Sequence, residues 1–263
     1  MEQQRFIRKN QALFDAQRRQ EKKRTRRTVF YVLLFVAVSL IFIAVCFAVF
    51  LNVETIEVNG NEKYSYEEIV SMIPVEIGDN IYSFKAGETE ESIMRALPYV
   101  GAVNISRDLP KTVIVDITEE KAYFAADLAG DTYLLSSGLK VLERTNGVSA
   151  SETGLTELKV SNVRRCVVGE TMEFVDGRTA DAINELYAVF EKNYINDDIT
   201  SLDVRSRFDI YFDYQGRFEV YMGDMQNCDI KIRFLVGIIA ELYPTDRGTI
   251  DVSNHTEASV LLK

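Results

Sequence analysis

Few side chains in this chain could carry covalent or acid–base chemistry, and each has a plainer reading beside the chemical one. A single histidine, His255, occurs in 263 residues, so any Ser-His-Asp or Cys-His hydrolase would have to use it. It sits between Asn254 and Thr256 close to Lys263, where a solvated strand end or loop accounts for it. Ser137, in Ser136-Ser137-Gly138, lacks the preceding glycine of a nucleophile elbow and lies where a turn needs small residues. The adjacent acids Glu119-Glu120 and Asp197-Asp198 are material for a glycosidase pair, yet neighbours on a strand point to opposite faces. Cys46 belongs to a long apolar run, leaving Cys166 and Cys228, and with one histidine they cannot assemble a Cys/His zinc site. A disulfide between them stays open. No phosphate-binding glycine loop appears, and the absence of tryptophan removes a positive case for sugar binding. The expectation is therefore a non-enzymatic protein with no catalytic, metal or cofactor-binding residues, no cofactor and no small-molecule substrate.

The elements around these residues begin with Thr28–Leu51, 24 positions with no charge, proline or glycine. As a helix it reaches roughly 36 Å, against a bilayer hydrocarbon core of roughly 30 Å, and a helix satisfies its own backbone there. A cleaved signal peptide is the alternative, but its apolar region is usually about 7–15 residues long, and Phe47, Val49, Phe50 and Leu51 are poor cleavage context. Residues 28–51 are read as an uncleaved anchor in the lipid bilayer. Residues 1–27 hold ten Lys and Arg against three acidic residues, and the remainder holds twenty against thirty-seven. Basic residues beside the span stay on the cytoplasmic side, so the N-terminal tail is placed inside and everything after it outside. The acidic exterior repels polyanions, and the basic run is read as topology and lipid charge rather than nucleic-acid binding.

The exterior begins with a short strand, Val53–Val58, ended by Asn59-Gly60-Asn61. Ser65-Tyr66-Glu67-Glu68 is a capping box opening a helix with Tyr66, Ile69, Val70 and Ile73 on one face, closed by Pro74. Thr89 is taken to open a second helix through Ile93, Met94 and Leu97, and Pro98 stops it. Val100–Ser106 and Thr112–Thr118 are strands joined by Asp108-Leu109-Pro110-Lys111. Strand, helix, helix, strand, strand directly after an anchor resembles a POTRA domain. The run Pro98-Tyr99-Val100-Gly101-Ala102-Val103-Asn104-Ile105-Ser106-Arg107-Asp108-Leu109-Pro110-Lys111-Thr112, with Gly78-Asp79-Asn80-Ile81-Tyr82 and Glu120-Lys121-Ala122, is similar to segments of the FtsQ/DivIB cell-division family. Departures are Val103, where alanine is common, and Tyr123, where proline is common.

The rest reads as a β-rich domain. Asp131–Leu135 and Leu139–Leu142 form a hairpin around Ser136-Ser137-Gly138. Leu155–Val160, Cys166–Phe174 and Ile199–Val204 are expected strands, and Asp181–Lys192 is a helix by the spacing of Ile183, Leu186, Tyr187 and Phe190. Phe208–Asp213 and Phe218–Met222 alternate on both sides of Tyr214-Gln215-Gly216-Arg217. Cys228–Leu242 is a helix with Phe234, Leu235, Ile238, Ile239 and Leu242 on its apolar stripe, and Thr249–Val252 is expected as the final strand. Lys231 with Gly223, and the aliphatic-Asp-aliphatic run of that strand, also resemble the family.

The predicted fold class is α+β: a single transmembrane helix followed by a POTRA domain and a mixed β-sheet domain with helices. The expected divisions are 1–27, 28–51, 53–121 and 122–263. The resemblance implies a septal scaffold that holds FtsL-like and DivIC/FtsB-like partners and supports septal peptidoglycan synthesis. An anchored cell-wall hydrolase or glycan-binding protein, or a POTRA-containing export component, are the rival readings. A sheet edge can be completed by a partner strand, and the resemblance implies that the end of the β domain receives the partner, so the candidate surface is the last strand, Gly248–Asn254, with Thr249, Ile250, Asp251, Val252, Ser253 and Asn254 as its residues. Lys231 and Arg233 beside it either meet an acidic partner segment or lie on a solvated helix face. On this reading Ile250→Pro abolishes partner binding.

Overall fold

A computed structural model describes residues 28–47 and 49–263; the predicted basic tail, 1–27, lies outside the described residues. Contacts divide the chain into two units, one made of the chain up to Glu57 with Val75–Phe84 and Ser106–Ile114, the other of Val58–Pro74, Lys85–Ile105 and Val115–Lys263.

In the first unit, helix α1 (Thr28–Phe47) is long and apolar enough to cross a membrane. At 20 residues it spans about 30 Å. Beyond it the chain is stitched to the Val75–Phe84 segment by backbone bonds: Ile81 N–H donates to Leu51 O, Val53 N–H to Asp79 O and Gly78 N–H to Val53 O, each 2.8 Å. Val53 and Ile81 are fully buried. Arg107 Nε and Nη2 donate to the carbonyls of Ile81 (2.8 Å) and Phe84 (2.9 Å), and its guanidinium lies over the rings of Tyr82 and Phe84. The arginine of the family-like run thus closes a loop whose carbonyls a shorter side chain would not reach.

The elements from β1 to β3 follow the expected order: β1 (Thr55–Asn59), α2 (Tyr66–Ser71), α3 (Ala86–Ala96), β2 (Val100–Asp108) and β3 (Thr112–Glu119), in a sheet of order β1-β3-β2. The capping box is present, with Glu68 N–H on Ser65 Oγ at 3.2 Å and Ser65 N–H on Glu68 Oε2 at 2.8 Å. Helix α3 starts at Ala86 rather than Thr89. Thr89 is buried in its first turn, and its hydroxyl bonds back to Lys85 O at 3.1 Å, a use of threonine that mimics a cap signal in sequence.

The second unit contains a nine-stranded sheet of order β14-β13-β12-β11-β10-β7-β4-β5-β6. Its strands are β4 (Ala122–Leu128), β5 (Asp131–Ser136), β6 (Val141–Thr145), β7 (Thr156–Lys159), β10 (Ile199–Asp203), β11 (Ile210–Tyr214), β12 (Phe218–Gly223), β13 (Gly248–Asn254) and β14 (Glu257–Leu262). Helices α4 (Arg178–Lys192) and α5 (Cys228–Glu241) share one core with it, where Phe190 meets Phe212 edge-on at 5.1 Å. The β11–β12 hairpin turns on Gln215 and Gly216, both left-handed (φ 56° and 63°), with Arg217 N–H on Tyr214 O at 3.0 Å.

Four further differences from the expectations follow. Cys166–Phe174 is not one strand: β8 (Val163–Arg165) and β9 (Glu173–Phe174) form a separate two-stranded sheet, because Gly169 and Glu170 turn to bond both backbone groups of Val141. β4 was not anticipated. The buried side of α5 is Cys228, Lys231, Ile232 and Leu235, while Phe234 is 39% exposed; a lysine occupies the core-facing row, so the apolar pattern is read one step around the helix. Finally, Gly248–Asn254 is neither the last strand nor an edge, since β14 lies beyond it.

Candidate partner-binding edge

β13 is held on both sides. It runs parallel to β12, with Val220 opposite Ile250 and Tyr221 opposite Asp251. It runs antiparallel to β14, with Thr249 opposite Leu261, Ile250 opposite Val260 and Asn254 opposite Glu257. Ile250 and Val252 are buried against α5. Asp251 is exposed, and Thr249 and Ser253 are half-buried. Asn254 begins the turn into β14, where its carboxamide oxygen accepts both the backbone N–H (3.0 Å) and hydroxyl (2.8 Å) of Thr256. His255 is exposed in that turn.

The free backbone groups belong to β14. Lys263 N–H bonds Arg247 O at 2.9 Å, and alternation along the strand then points the amides and carbonyls of Leu261 and Ser259 toward β13 and those of Val260 and Leu262 outward. Ser259 to Leu262 carry no charge, and Val260, Leu261 and Leu262 are exposed. Gly248 lets the two strands close: a Cβ there would collide with the Leu261 carbonyl oxygen.

Lys231 and Arg233 separate. Arg233 is exposed on α5 and pairs with Asp229 at 3.2 Å. Lys231 is 2% exposed, and its ammonium donates to Met222 O (3.1 Å), Asp224 O (2.8 Å) and Asp224 Oδ1 (3.1 Å). A buried ammonium is tolerated when its protons are all accepted in this way. Gly223, with φ 72°, bends the chain so that the carbonyls on either side of it meet one cation. The Lys231 hydrogen bond holds the Asp224 carboxyl below its usual range. The lysine thereby ties α5 to the end of β12.

Two of the carboxylates considered for catalysis have structural partners. Glu119 accepts the backbone N–H groups of Lys63 (2.7 Å) and Tyr64 (3.2 Å). Asp198 accepts Tyr214 Oη (2.9 Å) and Gln215 Nε2 (2.8 Å). Cys166 and Cys228 are free thiols, pushed by burial up to about 11 and so protonated at neutral pH.

Residues 51–120 match the family model for a POTRA domain of the FtsQ type. The chain is 27% identical over 236 residues to cell division protein DivIB of Clostridium botulinum, spanning 88% of this chain and 90% of that one. It is 24% identical over 193 residues to cell division protein FtsQ of Corynebacterium glutamicum, spanning 73% and 80%. The chain is thus similar, over its POTRA segment and most of its length, to proteins of the FtsQ/DivIB family. A further relative, DivIB of Bacillus subtilis, is 26% identical over 174 residues, spanning 64% of this chain and 63% of its own. The first two alignments are longer than the 70 or so residues of the matched POTRA domain, so the likeness extends into the nine-stranded sheet.

Proposed function

We propose that this chain is a single-pass, non-enzymatic scaffold of the division septum. It has residues 1–27 in the cytoplasm, residues 28–51 in the membrane, and a POTRA domain (53–121) and β domain (122–263) outside. Similarity to proteins named cell division protein DivIB and FtsQ supports the division role. The β domain holds FtsL-like and DivIC/FtsB-like partners and through them supports septal peptidoglycan synthesis. The observation that carries the partner reading is the outward-facing, uncharged backbone edge of β14, which a partner strand completes by hydrogen bonding. Thr249 to Asn254 form the strand that supports this edge, Lys231 fixes the end of β12, and Arg233 meets an acidic partner segment.

Because Ile250 lies in a doubly paired strand with a buried side chain, Ile250→Pro would disturb the fold along with binding. Val260→Pro removes an outward amide and leaves the β13–β14 ladder whole, a substitution an edge strand accepts. The test is co-purification of the full-length chain with its FtsL-like and DivIC/FtsB-like partners, together with add-back to depleted cells. The expected result is at least tenfold weaker capture, about 1.4 kcal/mol, with filamentous cells and unchanged unfolding. Normal capture and normal division with Val260→Pro would remove the β14 edge as the partner site.

A further inference from the structure

We propose that the anchor-proximal tip of the POTRA domain is seated in the lipid headgroup layer, with Ile77, Tyr82 and Leu109 reaching into the membrane interface. The inference rests on reading α1 as a membrane span and goes beyond partner binding. Its basis is the lack of slack between that span and the tip. α1 runs to Phe47, and the Phe47 carbonyl accepts Asn80 Nδ2 at 3.1 Å. Leu51 O accepts Ile81 N–H, and Val53 exchanges bonds with Gly78 and Asp79. The turn 108–111 is tied to the same segment, with Glu54 N–H on Lys111 O at 2.9 Å. A span of about 30 Å fills the hydrocarbon core, so the residues bonded to its exit lie at headgroup depth.

At that depth the tip exposes large apolar side chains: Ile77 is 73% exposed, Tyr82 53% and Leu109 54%. A tyrosine with one apolar face and a polar hydroxyl suits this layer. Charge does not explain the seating. The segments that form the tip carry Glu54, Glu76, Asp79 and Asp108 against Arg107 and Lys111; Lys111 pairs with Glu54, and Arg107 is spent on Ile81 and Phe84. Attachment through apolar side chains is therefore expected to be the same on zwitterionic and anionic lipid.

The absence of tryptophan gives a direct test. Four single-tryptophan variants of the full chain, Ile77→Trp, Leu109→Trp, Phe42→Trp within α1 and Tyr194→Trp at a 91% exposed site, are reconstituted into phosphatidylcholine vesicles with and without phosphatidylglycerol. Emission wavelength and quenching by brominated acyl chains are read. The expected result is that Phe42→Trp is quenched most strongly, Ile77→Trp and Leu109→Trp are blue-shifted and quenched by shallow bromines in both lipid mixtures, and Tyr194→Trp is neither. Ile77→Trp and Leu109→Trp matching Tyr194→Trp, with Phe42→Trp quenched, would overturn the tip alone. An unquenched Phe42→Trp would overturn the span and the tip together. Shift and quenching confined to the phosphatidylglycerol mixture would overturn the apolar seating in favour of an electrostatic contact.

Discussion

The two ends of the nine-stranded sheet are built differently. At the β6 end the outward backbone groups of Val141 are taken: its N–H bonds Glu170 O and its carbonyl accepts Gly169 N–H, both at 2.8 Å. Glu143 there accepts Tyr99 Oη at 2.8 Å and Lys63 Nζ at 3.4 Å, with the lysine over the Tyr99 ring, and Arg144 follows it. A short, charged, loop-covered strand is how proteins prevent unwanted pairing. The β14 end has none of these protections, presenting Val260, Leu261 and Leu262 with outward backbone groups. One edge is partly covered by the chain itself, and the other is open. At the open end Gly248 allows β14 to approach β13, and Lys231 fixes the end of β12, the strand on the other side of β13.

The sharpest disturbance of the open end is Lys231→Met, which leaves two carbonyls and the Asp224 carboxylate without their cation. It should cost about 3 kcal/mol, read by denaturant unfolding, and lower partner capture with it; an unchanged midpoint would mean that the lysine does not hold α5 to the end of β12. The same pair sets a pH dependence. The folded Asp224 value is depressed, so its contribution is fully present above the ordinary carboxylate value of about 4 and is lost as pH falls through the lower folded value. Asp224→Asn should flatten that part of the acid-unfolding curve, and an identical curve would break the assignment.

Gly248→Ala is the next largest expected effect. Pressing a methyl on the Leu261 carbonyl should cost about 2 kcal/mol and speed hydrogen exchange at the β14 amides, while β6 exchange stays as it was. Equal acceleration at both ends would show that the edges are not independent. The smallest effect is expected at the closed end. Glu143→Gln weakens the Lys63 and Tyr99 contacts by about 1 kcal/mol and should leave partner capture unchanged; lost capture would make β6 a second binding edge.

Local grammar was legible where one segment carried the whole signal. The Ser65 capping box, the alternation on both sides of Gln215-Gly216, and the helix carrying Ile183, Leu186 and Phe190 all stand as read, because their partners lie within a few residues. The POTRA order was legible from the same kind of signal and from its family-like runs. β14 was not, because Glu257-Ala258-Ser259 is a weak strand pattern and acquires its structure by pairing with β13. Lys231 was read by its charge, whereas its place on the helix and two carbonyls brought close by Gly223 make it a core residue.

By composition and periodicity alone, the sequence determined an apolar run able to span a bilayer, a strand-helix-helix-strand-strand order after it, a β-rich remainder and a scarcity of catalytic groups. Which strand forms the edge, which cation is buried and which carboxylates are already bonded were decided by tertiary structure. Each of those depends on groups distant in sequence satisfying one another's hydrogen bonds, and no local pattern encodes that.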